Sequence, residues 1–154
     1  MNDRPETKPT LVEETLDEHR GCLQLIAEVE LCLDRPPDDR QRWLADLKGT
    51  LARLATALGR HFEGEESGPM FRSLPTQHPR LARSLARLEA EHPVMLQKMD
   101  DVLQKANALE NTEIFELREL NGSVQLLLAQ IRRHEAAEDE LVIRAHWEEV
   151  GVGD

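Results

Sequence analysis

The chain has 154 residues, with 30 Asp and Glu against 19 Lys and Arg and a formal charge of −11. That acidity excludes a nucleic-acid surface and docking on anionic lipid, both of which need clustered Lys and Arg. The length suits one domain with a substantial core, and a composition without Tyr and rich in Glu, Leu, Ala and Arg favours helices over strands.

In chain order, residues 1–9 read as a flexible polar segment with no apolar stretch of the secretory kind. Thr10-x-x-Glu13 has the capping-box pattern and opens a first helix that runs to about Asp34. Arg35-Pro36-Pro37-Asp38 breaks it. Asp38-x-x-Gln41 repeats the capping-box pattern and opens a second helix to about Glu66, which Ser67-Gly68-Pro69 stops. A longer connection follows, through Leu74-Pro75 and His78-Pro79. A third helix spans about Arg80 to Leu109, with Pro93 expected to kink it or mark an irregularity. Asn111 is the expected N-cap of a fourth helix reaching about Glu149. The expectation is an all-α, up-down four-helix bundle over residues 10–150. No apolar run approaches the ~18 residues of a membrane span. Two Cys ten residues apart in one helix do not make a disulfide framework, so a reducing cytoplasm is the expected setting.

Steps of three and four residues define an inward seam on each helix. On the first it is Val12, Thr15, His19, Cys22, Ile26, Val29 and Leu33. On the second it is Leu44, Leu47, Leu51, Leu54, Leu58, His61 and Glu65. The third carries Leu81, Leu85, Leu88, His92, Met95, Met99 and Val102, and the fourth Leu117, Leu120, Val124, Leu127, Ile131, His134, Glu138 and Leu141. Six chemistry-bearing residues therefore fall on inward positions: His19, His61, Glu65, His92, His134 and Glu138. His78, in the Pro-rich connection, and His146, one position off the last seam, do not.

Those six form one constellation written twice. The lone His precedes a His-xxx-Glu pair by 42 residues both times, and every member of the second copy is shifted by 73. A single His on an apolar face is usually a hydrogen-bonded core residue, and an i,i+4 His–Glu pair is common on charged helices. Two carboxylates and four imidazoles together in one core are different. Each unpaired charge costs several kcal/mol or more, and no Lys or Arg stands on the seams to neutralise Glu65 and Glu138. A pair of metal ions would do so. Residues i and i+4 lie one turn apart on the same face, so each His-xxx-Glu pair reaches one metal region. Two bridging carboxylates and four imidazoles would fill eight of the ~12 positions of two octahedral metals, leaving room for an oxo or hydroxo bridge, water or a small ligand. Mixed imidazole and carboxylate ligation suits iron, and also manganese or zinc, better than copper(I).

The strings His61-Phe62-Glu63-Gly64-Glu65-Glu66 and His134-Glu135-Ala136-Ala137-Glu138-Asp139, with His19 and His92 ahead of them, resemble the signature of the hemerythrin-like family in its HHE form. The resemblance runs from the first helix to the fourth. It implies a four-helix bundle around a non-haem di-iron centre that binds or reacts with O₂, NO or peroxide. His19, His61, His92 and His134 would be terminal ligands, and Glu65 and Glu138 bridging carboxylates. The oxygen-carrying hemerythrins have a His-xxx-His pair on the third helix and an Asp as the final carboxylate. Here Leu96 follows His92 by four, and Glu138 holds the last position beside Asp139. That departure weighs against simple oxygen carriage and towards sensing, iron handling, or chemistry on peroxide or NO. Family members that repair iron centres carry an N-terminal Cys-containing segment, which Cys22 and Cys32, inside the first helix, do not match.

Other metal classes fail on their motifs. The ferritin-like Glu-x-x-His pattern fits only at Glu89–His92. His134-Glu135-Ala-Ala-Glu138 lacks the second His of a zinc protease, and the absence of Tyr excludes a tyrosyl radical. No Ser/His/Asp arrangement or phosphate-cradling Gly loop is present. Cys22, Met95 and Met99 read as core filling beside the site. Glu66, Asp139 and Glu135 are either partners of the ligating imidazoles or a solvated acidic face. Trp43 and Trp147 are expected near the bundle ends, and Arg132 and Arg133 facing solvent or paired along their helix. The leading functional expectation is binding or sensing of O₂ or NO. The alternatives are an enzyme acting on peroxide or NO, an iron-handling or iron-centre-repair protein, and a metal-free bundle used in protein association.

Overall fold

The computed structural model describes residues 8–109 and 113–151. Residues 1–7 of the expected flexible segment, and Asn111 as an expected N-cap, lie outside them. Helix α1 spans Leu11–Asp34 and opens on Thr10. Its hydroxyl accepts from the Glu13 N–H at 3.2 Å, and the Glu13 carboxylate accepts from the Thr10 N–H at 3.2 Å. Arg35, just before Pro36, is extended (φ −67°, ψ 134°), as the steric demand of a following proline requires. Helix α2 spans Arg40–Ser67 and is capped by Asp39, whose carboxylate accepts from the Arg42 N–H at 3.1 Å. The cap therefore falls one residue later than the Asp38-x-x-Gln41 pattern suggests. The Asp38 N–H is held by the Pro36 carbonyl at 2.9 Å in the preceding turn, which keeps Asp38 outside the helix.

The connection expected after α2 contains two one-turn helices, α3 (Pro69–Arg72) and α4 (Leu74–Gln77), and a 3₁₀ turn at Pro79–Leu81. Each has a proline in its first turn, where the missing N–H costs nothing. Helix α5 spans Ala82–Ala108 and continues helical through Pro93. Helix α6 spans Ile114–Glu149, with Glu113 in the N-cap position. Among the described residues there is no strand, and no helix is long and apolar enough to cross a membrane.

The four long helices form a ring in which α1 packs on α2 and α6, and α5 packs on α2 and α6. The seams point inward as read: every named seam position is buried except Val12 and His61, which are half-buried. The core is not continuous, however. A large apolar cluster runs from Cys22, Leu58, Met95 and Ile131 to one end of the bundle. A smaller one, built from Met70, Phe71, Leu74, Leu81, Leu85, Leu88, Leu141, Val142 and Ala145, closes the other. The layer between them holds His19, His61, Glu65, His92, His134 and Glu138. Trp43 is buried and donates from Nε1 to the Cys32 carbonyl at 2.8 Å, whereas Trp147 is exposed. Both cysteines are free thiols. Arg132 is exposed, as one of its two expected placements had it, and pairs with Glu30 of the neighbouring α1 at 2.8 Å.

The connection is fastened to the end of α6 by His78, whose Nδ1 lies 2.9 Å from Glu148 and whose Nε2 lies 3.0 Å from Glu149. Two carboxylates on the two ring nitrogens select the imidazolium, which donates on both sides. The hydrogen bonds to Glu149 and then Glu148 raise the pKa of His78 above its ordinary value. A raised folded-state pKa stabilises the fold fully below the unfolded value of about 6.5 and loses that contribution as pH climbs through the folded value. His78→Gln should therefore lower the melting temperature by about 2–4 °C at pH 6 and by less at pH 9. Calorimetry at the two pH values reads the difference, and an equal loss at both would mean that His78 is held as a neutral ring.

Candidate metal centre

Each His-xxx-Glu pair sits one turn apart on an inward face, on α2 for His61 and Glu65 and on α6 for His134 and Glu138. The antiparallel ring brings His19 of α1 and His92 of α5 to the same level. All six sequence-predicted site residues meet there, and Nε2 of all four imidazoles faces the carboxylates. Glu65 lies 3.1 Å from His61 and 3.7 Å from His92 through Oε1, and 3.6 Å from His19 through Oε2. Glu138 lies 3.3 Å from His19 and 3.4 Å from His134 through Oε1, and 3.6 Å from His92 through Oε2. Two ligand sets result, His19–His61–Glu65–Glu138 and Glu65–His92–His134–Glu138. In each, one atom per residue lies within 4.8 Å of all the others. Both sets contain the same two carboxylates.

The layer is dry and chemically unsatisfied. Glu138 and His92 are 0 % exposed, His19 1 % and Glu65 5 %. Nε2 of His19 and of His61, and both oxygens of Glu65, Glu135 and Glu138, are buried without a hydrogen-bond partner. Nε2 of His92 and of His134 face each other at 3.1 Å. Native proteins leave few buried polar atoms unpaired, at a cost of about 1–3 kcal/mol each. Among the described residues no Lys or Arg is paired with Glu65, Glu135 or Glu138. The donor set and its unpaired atoms fit a metal site.

Two of the outward nitrogens are hydrogen-bonded to carboxylates outside the layer, and the other two lie farther from theirs. His19 Nδ1 lies 2.6 Å from Asp139, and His92 Nδ1 lies 3.0 Å from Glu66. His61 Nδ1 is 3.7 Å from Glu18, and His134 Nδ1 is 3.6 Å from Glu91. An acceptor on Nδ1 fixes the proton there and turns the Nε2 lone pair inward. Phe62 stacks on the His92 ring at 3.9 Å and 3°, and Phe71 meets its edge at 5.4 Å, so the α3 turn closes the layer on that side.

Electrostatics follow from this crowding. Burial opposes a charge on His19, but Glu138 and Glu65, joined by Glu135 and Asp139, outweigh it and raise its pKa to about 11. Burial likewise opposes the charges of His61 and His92, and both are nonetheless raised, by Glu65 and by Glu138 with Glu66 respectively. Burial pushes the Glu138 carboxyl up, yet His134, His19 and His92 together hold it well below the usual carboxylate range. Burial raises Glu135 and Asp139 and, with the charge of Glu135, the Cys22 thiol. Without metal, protons on imidazole supply the positive charge that the layer needs.

Glu18, Glu91 and Phe62 did not emerge from the sequence reading. Glu18 and Glu91 each precede a predicted ligand and are related by the same 73-residue shift, as are Glu66 and Asp139. Extending the repeat to the residue before each lone His would have found Glu18 and Glu91.

The family model described as the hemerythrin HHE cation binding domain matches residues 10–145. No curated protein and no solved structure matches the chain.

The raised pKa of His19 gives a pH test of the metal-free layer. Its charged form stabilises the fold fully below about pH 6.5, and that contribution is lost as pH rises towards 11. Chelator-treated protein should therefore melt at progressively lower temperature between pH 6.5 and pH 10, and His19→Gln should flatten that decline. A melting temperature that rises with pH over the same interval, in the wild type, would contradict the assignment.

Proposed function

We propose that this chain, which belongs to the hemerythrin HHE cation-binding domain family, holds two non-haem iron ions in its core and uses them to bind or sense O₂ or NO. In this reading His19 and His61 ligate one metal, His92 and His134 the other, and Glu65 and Glu138 bridge the two. The observation that carries it is that the two ligand sets share Glu65 and Glu138 and no other residue. A carboxylate common to two sets is what a bridge requires, and a divalent pair offsets the buried charge that no Lys or Arg among the described residues meets.

The chain's own residues prepare the site. Asp139 and Glu66 hold the Nδ1 protons of His19 and His92, which keeps Nε2 basic and fixed in direction. The apolar clusters on either side exclude bulk water, so the donors meet an incoming charge in a medium where electrostatic interactions are strong. A di-iron pair supplies two redox-active Lewis acids able to take up a diatomic ligand or peroxide. A cleft of about 60 Å³ leads from Leu11 and Glu14 past Thr15 and Gly64 to Glu65. A cleft of this size has room for a small ligand such as a diatomic or peroxide.

One observation favours a second reading, turnover of peroxide or NO. Leu96, at the position of the carriers' fifth His, packs against the apolar cluster and provides no ligand, which leaves more of the metal pair open.

Protein expressed in iron-supplemented medium should contain about two irons per chain, as the two ligand sets require, and show the near-ultraviolet charge-transfer bands of an oxo-bridged pair. Replacing Glu65 and Glu138 together by Leu should remove both metals while leaving a helical and more stable metal-free bundle, because apolar residues of similar size replace buried unpaired charges. No metal, or a single zinc, after gentle purification would end the di-iron reading. Rapid gas release on adding peroxide to the iron form would move the function from binding to catalysis.

A further inference from the structure

The 73-residue shift carries every proposed ligand onto a residue of the same type, but it does not preserve their neighbours. Around His92 and His134 the inward positions are Leu88, Met95 and Phe62. The equivalent positions around His19 and His61 are Thr15, Cys22 and Glu135. All six are buried, and two of the three differences replace an apolar side chain by a polar one, Leu88 by Thr15 and Phe62 by Glu135, while the third replaces Met95 by the smaller thiol of Cys22.

Glu135 is the consequential difference. It is 2 % exposed, and neither carboxylate oxygen has a hydrogen-bond partner. Oε1 lies 3.8 Å from Nε2 of His61, the atom that also faces Glu65 at 3.1 Å. The charges of His19 and His61 act on it, and the Cys22 thiol beside it is a weak donor that cannot neutralise a carboxylate. On the opposite side Phe62 covers the His92 ring face to face and offers no donor atom. A buried carboxyl group with two free oxygens, facing a ligating nitrogen and paired with no Lys or Arg among the described residues, is placed to serve a cation. The His19–His61 position is the one within its reach.

We propose that Glu135 is a third carboxylate for the metal at the His19–His61 position, so that the two metal positions are inequivalent and this one fills first. The inference rests on the metal reading above. The His19–His61 position then combines two imidazoles with three carboxylates, and the His92–His134 position two imidazoles with only the two shared ones. Hard divalent ions favour the more oxygen-rich and more anionic set.

Anaerobic titration of chelator-stripped protein with iron(II), against a chromogenic competitor, tests the order of filling. Wild type should take up two irons in two resolved steps. In Glu135→Gln, which keeps the side-chain volume, the first step should weaken by about 10- to 100-fold and merge with the second while the total stays near two. Glu135→Leu, which removes all donor capacity, should behave the same and guards against ligation through the Gln oxygen. Phe62→Leu should leave the tight first step in place. Far-UV circular dichroism on the stripped variants checks that they fold, as expected when a buried unpaired charge is removed. Two irons bound with both affinities in Glu135→Gln and Glu135→Leu within twofold of wild type would overturn this inference and leave the di-metal reading intact. No uptake by wild type would overturn both.

Discussion

The structure depends on one constraint: carboxylates have been placed in the middle of a helical bundle where, among the described residues, no Lys or Arg is paired with them. Glu65 and Glu138 stand at seam positions that would otherwise be Leu, and moving an ion into such a medium costs several kcal/mol even after relaxation. Much of the local architecture answers that cost. Four imidazoles face the two carboxylates, a full layer is given over to them, and the apolar core is divided into a larger and a smaller cluster on either side. The bundle geometry serves this layer directly, because an i,i+4 pair on one helix and a single His on its neighbour meet at one level only when adjacent helices run antiparallel.

A converging set of imidazoles is useful only if each ring presents the same nitrogen inward. The outer carboxylates supply that control at His19 and His92. Asp139 and Glu66 are within hydrogen-bonding distance of Nδ1 of His19 and His92, and Glu18 and Glu91 stand farther from His61 and His134. The strong contacts cross between halves of the chain, Asp139 of α6 to α1 and Glu66 of α2 to α5. The looser ones stay within a helical hairpin, α1 to α2 and α5 to α6. Ring orientation at His19 and His92 is thus decided by tertiary packing, whereas His61 and His134 are anchored by their own i,i+4 partner.

Legibility in the sequence followed the strength of local periodicity. The four long helices, their inward seams and the meeting of all six residues could be read because steps of three and four repeat over more than twenty residues on each helix, and because the constellation occurs twice. What was illegible lacked a local period or depended on where a neighbouring helix stands. Helices α3 and α4 are four residues each, too short to show a period, yet α3 brings Phe71 against His92. Asp38 and Asp39 are chemically identical caps, and a turn bond to Pro36 decided between them. Glu66 and Asp139 lie one residue past a predicted ligand, about 100° round the helix, where only the position of the neighbouring helix separates a partner from a solvated side chain. Arg132, expected to face solvent or pair along its helix, is exposed and pairs with Glu30 of the neighbouring α1.

The near-repeat has a consequence for assembly. Each proposed metal position takes both of its imidazoles from one hairpin, His19 and His61 from α1 and α2, His92 and His134 from α5 and α6. Neither hairpin can complete a position alone, because each set also needs a carboxylate from the other hairpin, and because Asp139 and Glu66 orient the opposite hairpin's histidine. The two halves therefore interlock through the site itself and not only through the apolar faces around it. Against that shared frame, the exchange of Phe62 for Glu135 and of Met95 for Cys22 alters what surrounds one metal position without disturbing the ligands common to both. A duplicated scaffold can thereby hold two positions of different chemistry within one layer.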